Sequence, residues 1–263
     1  MRIATWNINS VRLRLGLLEN FTSFFQPEVL CLQETKVQDA FFPIKEIESM
    51  GYKHVAYIGQ KSYNGVAILS KYPITGVFSC DFYNQDRRHI AGLINGIEIH
   101  NFYVPAGGDE PDEKINPKFK HKLEYIKFIQ KWFLENRKKD DKIILLGDLN
   151  IAPHANDVWS TKQLKNVVSH TLVERDLLIS LQESFNFIDS ARYFTNMEEK
   201  LYSWWSYRNK DWRKSDRGRR LDHIWASSPL EEKLRSVQII KDARSWSKPS
   251  DHVPLILDLQ QLD

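Results

Sequence analysis

The sequence predicts a layered α/β fold in which two β-sheets pack face to face and helices flank them. Short apolar runs bounded by polar residues recur along the chain and indicate buried strands. Stretches with a 3.6-residue apolar repeat lie between and around these runs and indicate amphipathic helices. Strands and helices do not alternate regularly enough for a parallel barrel, so the layered arrangement is favoured.

The apolar runs predict seven strands. They span residues 2–6, 29–32, 66–69, 97–104, 143–146, 223–226 and 254–259. An Asn64-Gly65 dipeptide precedes the third of them, and this pair is typical of tight turns. The strands are spread over both halves of the chain, as two packed sheets require.

Helical periodicity is clearest in residues 117–136 and 174–186. The apolar face of the first contains Phe119, Leu123, Ile126, Gln130 and Phe133, and that of the second contains Leu177, Leu178, Leu181 and Phe185. Lys and Glu occupy much of the opposite face of the first stretch. A weaker helix is predicted over residues 11–25, where Gly16 lowers helix propensity.

The composition is that of an ordinary globular chain. Of 263 residues, 42% are hydrophobic, and 37 Lys and Arg against 34 Asp and Glu give a net charge of +3. No apolar run could span a bilayer, and a strand-like segment directly follows Met1, so we expect no membrane anchor and no signal peptide. No Gly-, Pro- or Ser-rich linker divides the chain, which predicts one domain over residues 1–263.

The two cysteines, Cys31 and Cys80, form no metal-ligand pattern. Cys31 lies within an apolar run and is predicted to be a small core residue. This cysteine usage favours a reduced, cytoplasmic setting.

Four short polar clusters are the most informative feature for function. They occupy residues 6–9, 32–36, 147–150 and 250–252, and most of them lie next to an apolar run. Carboxylates, amides and a histidine at the ends of buried strands carry a large desolvation cost unless they converge on a charged group. A divalent cation and a phosphate are the obvious candidates, which predicts a metal-dependent phosphoesterase.

Asp148 and Asn150 follow the apolar run 143–146 and Gly147. Side chains alternate along a strand, so these two project from the same face. Gly147 allows the backbone to turn or to approach a ligand closely. Gly, Asp and Asn also favour simple turns, and for this segment alone a turn is the stronger interpretation.

Glu34 and Asn7 each follow a predicted strand. Carboxylate and amide oxygens are hard ligands suited to Mg²⁺, which keeps several waters and takes one or two carboxylates. A structural alternative exists for each residue: Glu34 could pair with Lys36, and Asn7 could cap a turn. The joint occurrence of the four clusters favours the metal site.

His252 lies beside Asp251, just before the last predicted strand, and Asp222 begins another strand. An Asp–His pair would favour a protonated imidazole that could bind a phosphate oxygen. A single histidine is more often structural, and the sequence does not show that the pair forms. We assign structural roles to His100, His154 and His170, because no matching ligand spacing surrounds them.

Residues 202–220 contain a dense mixture of aromatic and basic side chains. Cations interleaved with aromatics suit phosphate neutralisation and base stacking. The alternative is a solvated loop beside a Trp-rich strand, with Trp205 in the core. Nucleic-acid binding is favoured modestly on this segment alone.

Together these motifs resemble the exonuclease III family of apurinic/apyrimidinic endonucleases, within the endonuclease/exonuclease/phosphatase superfamily. The motifs run nearly end to end; they are 6–9, 32–36, 64–67, 103–105, 147–150, 202–208, 220–222 and 250–252. The resemblance implies a four-layered α/β sandwich, with two mainly antiparallel sheets and the active site at one end. It also implies Mg²⁺, with Mn²⁺ as a substitute.

The resemblance also implies residue roles. The implied catalytic residues are Tyr103, Asp148, Asn150, Asp222 and His252. Asp148 matches the residue that activates the attacking water, helped by Asn150, and His252, oriented by Asp222, matches the stabiliser of the transition state. The implied metal ligands are Asn7, Glu34, Asp148, Asn150, Asp251 and His252, with Glu34 as the principal one.

The expected partner is duplex DNA with abasic sites or blocked 3′ ends, bound by a monomer. The DNA-binding residues expected from the resemblance and the basic segment are Arg88, Trp204, Arg208, Trp212, Arg213, Arg219 and Leu221. The chain departs from the family pattern at Ser10, Ala106 and Arg219; several relatives have an apolar or aromatic residue at the last position, in the pocket for the abasic sugar.

The implied activity is cleavage on the 5′ side of abasic sites, with 3′→5′ exonuclease or 3′-end-cleaning activity. A rival is a phosphoesterase of the same superfamily that acts on RNA or another phosphoester. A second rival is a DNA-binding relative without catalysis, which would be expected to lack at least one of Glu34, Asp148, Asp222 and His252. All four are present.

Overall fold

Two six-stranded sheets form the centre of the computed structural model, which describes residues 1–80, 82 and 85–260. The strands are β1 (Arg2–Asn7), β2 (Val29–Gln33), β3 (His54–Ile58), β4 (Val66–Ser70), β5 (Thr75–Phe78), β6 (His89–Ile94), β7 (Ile97–Tyr103), β8 (Ile143–Asp148), β9 (Ile188–Asp189), β10 (Asp222–Ala226), β11 (Leu234–Ile239) and β12 (Leu255–Leu259). Their orders are β11-β12-β1-β2-β4-β3 and β5-β6-β7-β8-β10-β9. Among these neighbours only β1–β2 and β7–β8 are parallel, which confirms the mainly antiparallel prediction.

Seven helices connect or cover the strands in the described residues. They are α1 (Leu15–Phe25), α2 (Ile44–Ser49), α3 (Pro117–Asn136), α4 (Thr161–Leu164), α5 (Leu172–Ser184), α6 (Ser190–Phe194) and α7 (Trp212–Ser215). The prediction for α3 is confirmed at both ends. The helix predicted over 11–25 begins as a 3-10 turn at Arg12–Arg14. None of the helices in this part of the chain is long and apolar enough to cross a membrane.

Helix α5 starts two residues before its predicted beginning, because Thr171 caps it. The Thr171 side chain accepts a hydrogen bond from the Glu174 backbone N–H, and the Glu174 carboxylate accepts from the Thr171 N–H. This reciprocal capping box satisfies backbone donors at the helix start.

Three apolar clusters separate four layers. One fills the space between the sheets, another lies between the first sheet and α1, and a third lies between the second sheet and α3 and α5. In β1 and β2, Ile3 and Cys31 contact the second sheet, whereas Ala4 and Leu32 contact the helical layer. This period-two alternation produces the predicted four-layered sandwich, and it confirms the core position of Cys31.

The sequence pattern does not predict five of the strands: β3, β5, β6, β9 and β11. Four of them are the outermost strands of the two sheets. Edge strands are covered on fewer sides, so their apolar runs are weaker; all four positions of β5, for example, are exposed or half-buried. The fifth, β6, lies inside its sheet but contains His89 and Gly92, which interrupt the apolar pattern.

A buried amide pair joins the two sheets near the functional edge. Gln33 Nε2 donates to Asn101 Oδ1 at 2.6 Å and to Thr5 Oγ1 at 2.9 Å. Asn101 Nδ2 donates in turn to the carbonyls of Leu32 and Ala67 at 3.0 and 2.9 Å. An unpaired buried amide would destabilise the folded protein, so this network fixes the relative position of the two sheets.

Candidate active site

The central strands of both sheets bring polar side chains to one edge of the sandwich. Asn7 ends β1, Glu34 follows β2, Tyr103 ends β7 and Asp148 ends β8. The antiparallel strands β10 and β12 begin at the same edge, and Asp222 lies directly opposite Asp148 in the ladder. Strand direction alone therefore collects residues from distant parts of the sequence.

Asn7 connects the carboxylates of the two sheets. Its Nδ2 donates to Glu34 Oε1 at 2.9 Å and to Asp148 Oδ2 at 2.8 Å. The Ser250 hydroxyl donates to the Asn7 carbonyl at 2.8 Å, and Trp6 Nε1 donates to the His252 carbonyl at 3.0 Å. These bonds fix the 250–252 segment against the end of β1.

Glu34 is surrounded by hydrogen-bond donors. Its Oε1 accepts from the Tyr103 hydroxyl at 2.8 Å, and its Oε2 lies 2.7 Å from the Lys36 ammonium. Burial would raise the pKa of Glu34, but Lys36 and the Asn7 hydrogen bond lower it below its usual value. Glu34 is therefore an anion, and its pairing with Lys36, expected as a structural alternative, does form.

Asp148 is fully buried and oriented by the turn that follows it. The Asn150 backbone N–H donates to its Oδ1 at 2.9 Å, and Asn150 Nδ2 donates to its Oδ2 at 3.2 Å. Gly147 makes this turn possible: its φ is +132°, and an added Cβ would lie 2.0 Å from the Phe102 carbonyl oxygen. Burial raises the pKa of Asp148, partly opposed by the charge of His252.

His252 and Asp222 form the predicted pair. His252 Nδ1 lies 2.8 Å from Asp222 Oδ2, and its Nε2 lies 3.6 Å from Asp148 Oδ2. Burial alone would lower the pKa of His252, but the charges of Asp222 and Asp148 raise it to about 10. The Ser203 hydroxyl donates to the same Asp222 oxygen at 2.7 Å. The imidazole is therefore positively charged at neutral pH, with Nε2 directed towards the site.

The donor set suits a divalent cation. Four carboxylic acids, Glu34, Asp148, Asp222 and Asp251, lie with only two basic groups, Lys36 and the His252 imidazolium, so acidic groups outnumber basic ones in the cluster. The Lys36 ammonium lies 2.7 Å from Asn9 Oδ1 as well as against Glu34. A cation is thus already held between hard oxygens, the ligand type that Mg²⁺ prefers.

A second grouping would hold a metal ion only if His252 gave up a proton, because both ring nitrogens of an imidazolium are donors. Ligand atoms of Asp148, Asp222 and His252 all lie within 4.8 Å of one another. The two groupings share one edge of the sandwich, because Asn7 bridges Glu34 and Asp148. Asp251, another predicted ligand, accepts hydrogen bonds from Asn9 Nδ2 at 3.0 Å and from Trp204 Nε1 at 2.9 Å.

These side chains open into a cavity of about 830 Å³. Glu34, Tyr103, Asn150, Asp251 and His252 line its floor and walls, together with four predicted DNA-binding residues, Trp204, Arg208, Arg219 and Leu221. The predicted catalytic groups and several aromatic or basic groups therefore share one concave surface, as expected of an enzyme with a polyanionic substrate.

Three other predicted DNA-binding residues do not line this cavity. Trp212 is a correction: it is only 8% exposed and packs against Trp205, 5.1 Å between ring centroids, so it cannot stack on a base. Trp205 itself is fully buried, as the core alternative predicted.

The two arginines lie elsewhere on the protein. Arg213 is exposed and pairs with Asp242 at 3.0 Å. Arg88 stacks 4.6 Å from the Tyr103 ring centre, behind the site.

Sequence reasoning missed Lys122 and Glu174. Lys122, placed on the polar face of α3, is fully buried; its Nζ lies 2.5 Å from Glu174 Oε1 and donates to the Asn150 carbonyl at 2.8 Å. It therefore supports the turn that carries Asn150. A capping-box motif at Thr171 signals Glu174, but no local signal distinguishes Lys122 from the exposed lysines of α3. His100, His154 and His170 lie outside the cavity lining.

Comparisons with known proteins identify the family of this chain. The model of the Endonuclease/Exonuclease/phosphatase family matches residues 4–252. An exodeoxyribonuclease III from Haemophilus influenzae is 32% identical over 267 residues, covering 97% of this chain and 98% of that protein. The structure of an AP endonuclease from Archaeoglobus fulgidus superposes with a TM-score of 0.92 at 32% identity, covering 99% of both chains.

A further solved relative contains nucleic acid. It is a 3′ phosphatase from Neisseria bound to a product DNA hairpin, with a TM-score of 0.90, 30% identity and coverage of 99% of both chains. Family model, sequence relatives and folds agree over nearly the whole chain. The protein therefore belongs to the endonuclease/exonuclease/phosphatase family, in its exonuclease III branch of DNA repair nucleases.

Proposed function

We propose that this nuclease hydrolyses the phosphodiester on the 5′ side of abasic sites in duplex DNA and depends on Mg²⁺. The observation that carries the proposal is the hydrogen-bonded cluster in which Asn7 joins Glu34 to Asp148, beside the Asp222–His252 pair. The cluster combines a buried base, a buried cation and hard-oxygen ligands in one cavity. In-line attack on a phosphodiester needs these three components.

We propose that Glu34 is the principal Mg²⁺ ligand, with Asn7 and Asp251 nearby and Mn²⁺ as a substitute. When bound, the ion would neutralise charge on the phosphate and on the departing oxygen. Its charge would also offset the excess of acidic over basic groups in the cluster. Asn150 is a further proposed ligand through its Oδ1, because its Nδ2 is committed to Asp148 and to the Val104 carbonyl at 2.9 Å.

Asp148 is the proposed base. Its raised pKa matches a carboxylate that accepts a proton from water near neutral pH. The water oxygen would bond to phosphorus as its proton passes to Asp148, and the bond from phosphorus to the 3′ oxygen would break. The released oxygen takes up a proton, which leaves a 3′-hydroxyl and a 5′-phosphate.

His252 and Tyr103 are the proposed charge-stabilising groups. The His252 imidazolium directs Nε2 into the cavity, where it can donate to a phosphate oxygen in the transition state. Burial and the charge of Glu34 raise the pKa of Tyr103 well above its usual value. The phenol therefore stays neutral and acts as a donor.

We also propose 3′-end cleaning as a second activity of the same site. The Neisseria relative that acts as a 3′ phosphatase matches this chain over 99% of its length. A terminal 3′ phosphate can present the same phosphorus to Asp148 and His252, without a nucleotide beyond it.

The direct test is cleavage of a duplex that carries one abasic analogue, assayed with Mg²⁺ and then with excess EDTA. We expect a single incision 5′ of the lesion that EDTA abolishes. RNA of the same sequence and a small phosphomonoester serve as parallel substrates. Absence of incision with Mg²⁺ would refute the proposal, and faster hydrolysis of RNA would favour the phosphoesterase alternative.

We further propose that residues 1–263 act as one catalytic domain, as a monomer in the cytoplasm. One chain supplies every residue of the cluster, so catalysis needs no second copy. Light scattering at assay concentration should give about the monomer mass of 31.0 kDa.

A further inference from the structure

Arg219 places a positive charge in the wall of the catalytic cavity. Its side chain is half-buried and lines the cavity beside Trp204, Leu221 and Val168. The guanidinium lies 5.3 Å from the Trp204 ring centre. No carboxylate in the described residues forms an ion pair with Arg219. A cation in such a position is available to an anionic ligand.

Only part of the guanidinium is committed to the protein. Nη1 donates to the Val168 carbonyl at 3.0 Å and to Ser169 Oγ at 2.7 Å. Among the described residues, Nε and Nη2 make no hydrogen bond, and neither atom is enclosed. The bonded nitrogen fixes the orientation of the planar group, and the unbonded donors belong to a side chain that lines the cavity.

The backbone places Arg219 on the same face as the catalytic histidine. Trp204 forms antiparallel bridges with Arg219 on one side and with His252 on the other. Residues directly opposite one another in such bridges project from the same face. Neighbouring strands are about 4.8 Å apart, so the backbones of Arg219 and His252 are about 10 Å apart. One unpaired fragment can therefore reach both side chains.

We propose that Arg219 is a specificity residue that binds an oxyanion one group beyond the attacked phosphate, on its 3′ side. The inference rests on the proposed function. The cavity, of about 830 Å³, has room for an unpaired end fragment or a displaced abasic sugar, and we take such a group as the one that enters. The oxyanion is either the carboxylate of a glycolate that blocks a 3′ end or the next phosphate after an abasic sugar.

Four duplexes of the same sequence distinguish these sources. The first has a 3′-phosphoglycolate end, and the second has a 3′-phosphate end with nothing beyond the attacked group. The third has an internal tetrahydrofuran abasic analogue followed by a phosphodiester, and the fourth replaces that phosphodiester with an uncharged methylphosphonate. Each is assayed for kcat/KM with the wild type and with Arg219→Leu, Arg219→Gln and Arg217→Leu.

We expect Arg219→Leu and Arg219→Gln to lower kcat/KM roughly 10- to 100-fold on the first or third duplex, the loss typical of one charge-assisted contact. The second and fourth should change less than about threefold. Arg219→Gln keeps a hydrogen-bond donor for Val168 and Ser169 but removes the positive charge. It therefore still tests the role of the charge if the leucine variant does not fold. A loss on the first duplex alone identifies the carboxylate, and a loss on the third alone identifies the phosphate.

Arg217→Leu is the matched control. Arg217 lines the same cavity but is exposed and stacks 4.7 Å from the Trp159 ring centre. Its removal should lower activity on all four duplexes alike, as loss of general phosphate attraction does. An equal loss on all four with the Arg219 variants would overturn the specificity role. A wild type that cleaves none of them with Mg²⁺ would instead overturn the proposed function.

Discussion

At the residue scale, His252 and Asp148 show how burial and charge together set the chemistry of this site. Burial favours the neutral form of each, yet His252 becomes a cation because two carboxylates lie within 3.6 Å of its ring nitrogens. Asp148 has a raised pKa, because its burial outweighs the single imidazolium beside it. One cluster thus holds both a carboxylate that can accept a proton near neutral pH and a buried cation, as the proposed mechanism requires.

We expect Asp148→Asn to retain DNA binding and to lose most turnover. The amide preserves the shape of the side chain but accepts no proton from water, so the rate should fall at least about 10²- to 10³-fold. Fluorescence anisotropy measures DNA binding, and single-turnover cleavage measures the loss of rate. Asp176→Asn removes an exposed carboxylate and should leave both unchanged. An active Asp148→Asn enzyme would contradict the assigned role.

At the element scale, the Lys122–Glu174 pair joins α3 to the start of α5. Both side chains are fully buried, and Glu174 also accepts from the backbone N–H groups of Ser169 and Thr171. Lys122 holds the Asn150 carbonyl, and Ser169 holds Arg219. The pair therefore supports two walls of the cavity at once.

Removing one partner of this pair should destabilise the fold strongly. We expect Lys122→Met to lower the free energy of unfolding by about 3–5 kcal/mol, because it leaves a buried carboxylate unpaired. Lys122→Met combined with Glu174→Gln should cost less than Lys122→Met alone. Urea unfolding measures both, and Lys131→Met, which breaks an exposed i,i+4 pair on the same helix, should cost under about 0.5 kcal/mol. A double variant less stable than Lys122→Met would contradict this account.

Strand β10 carries a histidine that is buried in its neutral form. Burial, followed by the charge of Arg220, lowers the pKa of His223 to about 4, although Asp189 and Asp157 oppose this. Its Nε2 donates to the Ile151 carbonyl at 2.9 Å. As the pH falls below 6.5, the imidazole of His223 takes up a proton in the unfolded chain. In the folded protein it does so only near pH 4. Stability should therefore fall as the pH decreases from 6.5 to 4 and depend little on this group above 6.5.

His223→Gln tests that dependence, because the amide can keep the bond to Ile151 but does not titrate. Between pH 6.5 and pH 4 the wild type should lose about 3 kcal/mol more than the variant. Urea denaturation at several pH values gives both curves. Other histidines titrate equally in the two proteins and cancel in the difference. Parallel curves would exclude His223 as a source of the pH dependence.

At the scale of the whole molecule, the site exists only while the two sheets remain packed together. Glu34 belongs to the first sheet and Asp148 to the second, and Asn7 bonds to both. A cation bound at this edge therefore stabilises the packed sheets relative to the unfolded chain.

Mg²⁺ should raise the melting temperature of the wild type. At about 100 times its dissociation constant the ion adds roughly 2.7 kcal/mol, which corresponds to about 5 °C for a protein of this size. Glu34→Gln should lose most of this shift, whereas Glu48→Gln, an exposed acid, should keep it. Differential scanning calorimetry with and without EDTA measures the shift. An undiminished shift in Glu34→Gln would exclude Glu34 as the principal ligand.

The predictability of the fold follows burial. Strands covered on both faces, such as β1, β2 and β8, appear in the sequence as continuous apolar runs. The edge strand β5 does not, because solvent contact removes the constraint on its residue types. The candidate site was predictable to the same extent. Its carboxylates and histidine sit next to conspicuous apolar runs, but Ser203 and Lys122 resemble ordinary surface residues until they are seen in place.

The sequence alone determined the layered fold class, the family resemblance and the set of candidate site residues, because strand burial and motif order are local and linear properties. Tertiary structure decided which of these residues meet and in what state of charge. In the folded protein Trp212 is buried, His252 is protonated because it lies beside Asp222, and Arg219 lines the cavity. Burial, orientation and pKa depend on neighbours far along the chain, so they emerge only when the two sheets pack.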